Sequence, residues 1–329
     1  MCIVFFRVRP TKGIKLIVIF NRDEQPSRKR SELGVHFDPQ RIACAVDLEA
    51  NGTWLGFNLD TANFGFLTNY ENKKFKMIAD SKYRKGNLLM NFLKSESPFT
   101  KPEYYQEYLE TFLQEGEEFN GTNIWLGNSS TDDVILTFAH NQENKEKSFQ
   151  VINTDETIAF GNGRVNEQFF KQTLGQSLVD KVISQVQLEH EDQSSDELIQ
   201  NLKNRLFKIA ELNKIPTDRK DWVQIDLYND SEAYWNSSIF LEKHEERLID
   251  DELGVFATIS STVMIITDSN EIHLFERVYD HDSISESKEY TDYDNQIHKE
   301  LIELDTFGFV EQDSFTRTPF NEQYIYSKF

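Results

Sequence analysis

The chain has 329 residues, 38% hydrophobic and 13% aromatic, enough apolar mass for one large α/β domain or two smaller ones. Its net charge of −21 argues against nucleic acid and anionic membrane as bulk partners. No apolar stretch reaches the roughly eighteen residues of a membrane span, and two cysteines, Cys2 and Cys44, make no disulfide framework, so a reducing compartment, the cytosol, is expected.

The chain opens with two apolar runs, CIVFF from Cys2 and KLIVIF from Lys15, around a Thr11-Lys12-Gly13 turn, followed by Asn21-Arg22-Asp23-Glu24. Read as a hairpin, this returns the polar tetrad to the start of the first run, so that the Cys2 thiol faces amide, guanidinium and carboxylate groups. Arg7, Arg9 and Lys15 interrupt the apolar runs and no small-residue cleavage site follows, so neither a secretory signal nor an import helix is expected. Removal of Met1 would put a thiol and a free α-amine on one residue, with acidities near ~8.5 and ~7.7–8.0. The amine could then take the thiol proton and Arg22 would favour the thiolate, the chemistry of an N-terminal nucleophile. The alternative is a small apolar residue starting a buried strand.

Charge is unevenly spread. Residues 1 to 90 carry 15 Lys and Arg against 9 Asp and Glu, a net of +6, which leaves −27 on the remainder. Arg28-Lys29-Arg30, Lys73-Lys74 and Arg84-Lys85 read either as solvated surface or as a local attraction for an anionic ligand.

After a loop to Arg41, IACAVDL reads as a short strand, Asn51-Gly52 as a turn, and Thr53–Phe57 and Asn63–Asn69 as strands. Residues 83 to 94 and Pro102–Leu113 read as helices, the second with Pro near its first turn. Strands return at Thr122–Leu126, Val134–Ala139, Phe149–Ile152 and Thr157–Gly161, before helical patterns over about 165–188 and 195–212, the second capped by Ser195. Residues 213–252 are irregular and acidic, and Ser261–Thr267 with Glu271–Val278 forms a hairpin. The expected fold is α+β, a four-layer αββα sandwich of two antiparallel sheets over 1–280, with an acidic, loosely packed tail over 281–329.

MCIVFF, NRDE with Ser27-Arg28 after it, GTWLG at 52–56, LTNY at 67–70 and Glu276-Arg277 in FERV together resemble the NRDE family, also called the transport and Golgi organisation 2 family. The likeness runs in order to about residue 280 and is dense in the first 90 residues. It implies an N-terminal-nucleophile-hydrolase fold, with roles in Golgi organisation, protein secretion, haem trafficking and acyl-CoA or lipid handling. A more distant resemblance is to choloylglycine hydrolases and acid-ceramidase-like amidases, through Cys2, Arg22 with Asp23, Asn69 before Tyr70, and Asn162 in FGNG. In those enzymes the Arg and Asp hold the thiol and amine, and the two Asn positions stabilise the oxyanion. Asn21 with Glu24 keeps the amidases' spacing, whereas Arg22 with Asp23 keeps their residue types. One departure is Phe256-Ala257-Thr258-Ile259, with Ile259 where both families carry a late Arg.

The resemblance implies Cys2, Arg22, Asp23, Asn69 and Asn162 as a catalytic set, and Asn21, Glu24, Trp54, Tyr70 and Arg84 as ligand-binding residues. Each has a structural reading beside it: Asn69 as a strand-end residue, Asn162 as a turn residue between glycines, Trp54 as core. Cys44 between alanines reads as buried and inert. Seven scattered His residues show no metal-ligand spacing, so no metal is expected, and no cofactor is required, with haem a candidate ligand. Two functions remain open, with a scaffold in secretory traffic that holds no small ligand as a third. One is a thiol amidase or thioesterase acting through Cys2. The other, favoured by the absent Arg, is a carrier site for an anionic, largely apolar small molecule such as haem or acyl-CoA. The expected location is the cytoplasm, in association with Golgi or mitochondria.

Overall fold

The computed structural model describes residues 2–70, 84–142, 149–165, 168–189, 195–213, 238–247, 253–282, 292–304, 315–316 and 318–329. Its first element is the expected hairpin, β1 (Ile3–Thr11) and β2 (Ile14–Glu24), turned at Gly13 with φ 88°, a conformation that favours glycine. Ile3, Phe5, Ile17 and Ile19 pack into one core, and Val4, Phe6, Leu16, Val18 and Phe20 into another. Burial on both faces is why the two strands read as nearly continuous apolar runs rather than as an alternation.

The second sheet forms in chain order from β3 (Gly34–His36), β4 (Ile42–Cys44), β5 (Leu55–Asn58), β6 (Asn63–Asn69), β7 (Thr122–Asn128), β8 (Ile135–His140) and β9 (Phe149–Val151). The first sheet is less local. It also takes β10 (Ile158–Phe160), β11 (His244–Arg247), β12 (Leu253–Thr267), β13 (Glu271–Tyr279) and β14 (Phe320–Lys328), in the order β10-β1-β2-β12-β13-β14, with β11 on β12. Every pairing in both sheets is antiparallel.

Three cores separate four layers, as expected for an αββα sandwich. Helices α1 (Lys85–Leu93), α2 (Pro102–Tyr108) and α3 (Glu110–Gln114) cover the second sheet through Leu89, Phe92, Tyr105 and Phe112. Helices α4 (Phe170–Glu189), α5 (Ser195–Ala210) and α6 (Asp292–Leu304) cover the first through Leu178, Val182, Leu202, Leu206 and Leu301. Between the sheets, Trp125 stacks on Phe66 and Phe138 at centroid distances of 5.4 and 4.7 Å and meets Phe160 edge-on at 4.9 Å.

Two expectations change. The helix read over Pro102–Leu113 breaks at Leu109, where φ −87° and ψ 2° leave the helical basin. The break lets Tyr105 and Tyr108 face Phe92 while Phe112 turns to Phe119. The tail beyond residue 281, expected to pack loosely, instead contributes α6, with Ile297 and Leu301 in the core, and β14, paired with β13 along nine positions. Its charges misled because Glu322 and Lys328 share one face of the strand with Tyr324 and Tyr326, while Ile325 on the other face packs on the inter-sheet core. Of the irregular segment 213–252, residues 238–247 are described and include β11; 214–237 and 248–252 lie outside the described residues.

Candidate functional site

Two ladders meet at Cys2. The β1–β2 register pairs Ile3 with Asn21, and the β1–β10 register pairs Val4 with Phe160. Continued toward the start of β1, these registers set Arg22 on one side of Cys2 and Asn162 on the other. Opposed residues share a face, here the inter-sheet one, where Cys2 joins Ala45, Trp54 and Phe160 in one core cluster.

Arg22 is only 4% exposed. Its Nη2 donates to Asp47 Oδ2 at 3.1 Å, its guanidinium lies 3.8 Å from the Trp54 ring centroid, and its buried Nη1 has no hydrogen-bond partner. Asp47 is itself pinned by Arg28 Nε at 2.8 Å and by the backbone N–H groups of Glu49 and Ala50. Trp54 thus serves as the packing surface under a guanidinium. The GTWLG stretch holds it there: Thr53 Oγ1 donates to Ala45 O, and a Cβ on Gly52 would stand 2.5 Å from the Gly86 carbonyl carbon.

Asn162 is 2% exposed, and neither its amide nitrogen nor its amide oxygen finds a partner. Thr68 Oγ1 donates to Gly161 O at 2.9 Å, which brings the end of β6, and with it Asn69, against the loop that carries Asn162. Asn69 is half-buried, and its carbonyl accepts from Asn123 Nδ2 at 3.5 Å.

The polar tetrad splits by face. Asn21 and Asp23 point toward the helical layer. Asn21 Nδ2 donates to Ala210 O at 2.8 Å and Ile239 O at 3.0 Å, while its Oδ1 accepts from Ser261 Oγ at 2.7 Å. Both amide atoms of Asn21 are thus engaged inside the protein, joining β2 to Ala210, Ile239 and Ser261. Asp23 Oδ1 accepts from Thr258 Oγ1 at 2.6 Å, and the Asp23 backbone N–H supports the Cys2 sulfur. Arg22 therefore bears on the thiol through its charge and Asp23 through its backbone N–H, the carboxylate lying across the strand. Glu24 accepts from the Gln25 N–H and lies 3.8 Å from Arg28. Tyr70 is buried, with its N–H on Gly121 O, and Arg84 donates outward to Glu49 O.

Glu276 and Arg277 also part by face. Glu276 pairs with Arg30 at 3.1 Å, and Arg277 with Glu211 at 2.7 Å and Glu322 at 2.9 Å. Ile259, buried, is the extra residue of a bulge in β12 between the pairs Thr258–Asp23 and Ser260–Arg22. The position that lacks the late Arg thus lies beside the site.

Sequence reasoning passed over Thr258 and Lys171. Lys171, in the first turn of α4, is fully buried, and its ammonium is felt by the Asp23 carboxylate. Burial pushes the Asp23 carboxyl up, while Lys171 and the Thr258 hydrogen bond pull it back. Burial raises the Cys2 thiol as well, and the Asp23 carboxylate adds to that; the Asp23 N–H and Arg22 oppose them. Burial pushes Cys44 up to about 12. Iodoacetamide is therefore expected to modify the native protein slowly, at Cys2 before Cys44, with a rate rising about tenfold per pH unit through about pH 7–9. Peptide mass mapping checks this; a rate that levels off below about pH 8 is the contrary result.

Among the described residues no group of His, Cys, Asp and Glu is placed to hold a metal ion. A family profile described as Transport and Golgi organisation 2 matches residues 1–281. No curated protein matches the chain.

Proposed function

Because the chain belongs to the Transport and Golgi organisation 2 family, we propose that it binds an anionic, largely apolar small molecule, haem or a long-chain acyl-CoA, beside Cys2. Handling of that ligand would serve Golgi organisation and secretion from the cytoplasm, with contact to Golgi or mitochondria. No described helix is long and apolar enough to cross a membrane. One observation carries the reading: Arg22 Nη1 and both amide atoms of Asn162 are buried without partners on either side of one thiol. Leaving such groups unsatisfied costs roughly 1–3 kcal/mol each, so a ligand oxygen that accepts from Arg22 Nη1 and Asn162 Nδ2, with a ligand donor to Asn162 Oδ1, recovers free energy that folding left unclaimed. Burial of the thiol and the hydrocarbon of Ile259 in place of a guanidinium favour holding over turnover.

Hemin and palmitoyl-CoA titrations, read by absorbance and calorimetry, are expected to show saturable one-to-one binding of one of them. Asn162→Ala removes only unpartnered atoms and should weaken that binding by about tenfold or more, with Arg22→Ala and Asn69→Ala in the same direction. Unchanged affinity in folded Asn162→Ala and Arg22→Ala would put the ligand elsewhere.

A second reading keeps Cys2 as the nucleophile of an amidase or thioesterase, with Asn162 as an oxyanion donor. The Asn162 amide nitrogen, buried and unpartnered beside the thiol, favours it. Intact mass decides first: a retained Met1 removes the amine base and that reading with it.

A further inference from the structure

We propose that Thr258 is the positioning residue of this site, the hydroxyl that fixes the Asp23 carboxylate on the helical side of β2, across the strand from Cys2, and ties Leu241 to that carboxylate. The inference rests on the site as read above and extends it to a residue that touches neither thiol nor ligand.

The argument is one of hydrogen-bond capacity. A threonine hydroxyl has a single proton to give and lone pairs to receive. Leu241 N–H donates to Thr258 Oγ1 at 2.8 Å, which fills an acceptor position and turns the hydroxyl proton away from that neighbour. Asp23 Oδ1 stands 2.6 Å from the same oxygen and takes it. So short a bond is characteristic of a charged acceptor, and it favours the carboxylate over the acid. The Thr258 backbone is held equally firmly: its N–H donates to Leu241 O at 2.9 Å, and His281 Nε2 donates to its carbonyl at 2.8 Å. The β12 bulge at Ile259 follows directly and separates the Asp23 pair from the Arg22 pair. Thr258 is thus fixed by residues 241 and 281 before its side chain fixes Asp23.

The groups that bear electrostatically on Asp23 come from several elements: Lys171 from α4, His244 from β11, Cys2 from the start of β1, and the chain's amino terminus. All but Cys2 are cations when charged and act in the same sense as Thr258. With no guanidinium at residue 259, the groups that oppose the upward push of burial on this carboxyl are the amino terminus, the Lys171 ammonium from the helical layer and the hydroxyl of Thr258 on the adjacent residue.

The test reads Asp23 itself and needs no ligand. In protein labelled with 13C at aspartate carboxyls, and with Asp23→Asn to assign the signal, Thr258→Val keeps the shape but removes the proton. It is expected to raise the Asp23 midpoint by about one pH unit or more, and Thr258→Ser to restore it. A folded Thr258→Val protein whose Asp23 midpoint is unmoved overturns the proposal. A second measurement uses the unaltered protein. The Thr258 hydroxyl proton should give a slowly exchanging downfield resonance that disappears as Asp23 is titrated with acid; a folded protein without that resonance overturns the proposal as well. Failure of the hemin and palmitoyl-CoA titrations, with these signals present, would remove the ligand assignment and leave the role of Thr258 intact.

Discussion

Replacing Trp125 by Ala is expected to cost about 3–5 kcal/mol. The indole is almost wholly buried at the middle of the inter-sheet core, between Phe66 at 5.4 Å and Phe138 at 4.7 Å, with Phe6 and Phe160 edge-on. Phe6 and Phe160 belong to the first sheet and Phe66, Trp125 and Phe138 to the second, so one ring joins both. The cavity cannot close without sliding the sheets, and close-packed sheets resist that. Guanidinium unfolding should show a lowered midpoint with little change of slope. The effect should also reach the site, because Phe160 lies two residues before Asn162 on the segment that flanks Cys2. A loss below about 1 kcal/mol would mean that the sheets are not keyed through this ring.

Arg277→Ala should cost a similar amount, about 3–5 kcal/mol, for a different reason. Its guanidinium bonds Glu211 at 2.7 Å and Glu322 at 2.9 Å and lies over the rings of Phe207 and Phe320, its carbon 4.1 and 4.4 Å from their centroids. Truncation removes the cation but leaves Glu211, 1% exposed, inside the fold with Lys208 at 3.2 Å. Arg277→Lys should recover little, since an ammonium cannot span both carboxylates while lying over two rings. The pH dependence has a definite sign. Burial would raise Glu322, but Lys203 and Arg277 hold it below the ordinary glutamate value. A carboxyl depressed in the folded state contributes stability above its unfolded value, and that contribution is lost as pH falls through the folded one. The deficit of Arg277→Ala, measured by urea unfolding, should therefore be larger at about pH 7 than at about pH 3. A deficit independent of pH would assign the effect to ring packing alone.

How much of this could be read beforehand depended on how local the determining interactions are. The first hairpin was legible because its apolar runs and Gly13 turn act over neighbouring residues, and β6 matched its expected bounds of Asn63 to Asn69. The insertion of β12 between β2 and β13 was not, because nothing near residue 20 encodes a partner near residue 260. The start of β12 at Leu253 was missed because the apolar run was taken to begin only at Ser261. At the site, Cys2 and Arg22 carried their own signal as unusual residues for strand ends, whereas Asn162, between glycines, stood out only through the family resemblance. Thr258 carried none, since threonine in a strand is ordinary. Lys171 carried none either, since a lysine in a helix is ordinary, and only its burial reveals its charge as part of the site. The faces within the tetrad follow from period-two alternation, which could have predicted that Asn21 and Asp23 part company with Arg22.

The central place of β12 sets a timetable for biosynthesis. One edge of β2 has its neighbour as soon as the hairpin closes, but the other waits for a segment that begins at Leu253. At roughly 5–20 residues per second, a ribosome takes on the order of 10–50 s to deliver it. Throughout that interval a strand of apolar side chains and unsatisfied backbone groups stands open on the nascent chain. A chaperone that shields the early hairpin, or slow translation just past residue 267, should therefore govern the yield of native molecules more than any change in the local propensity of the hairpin itself.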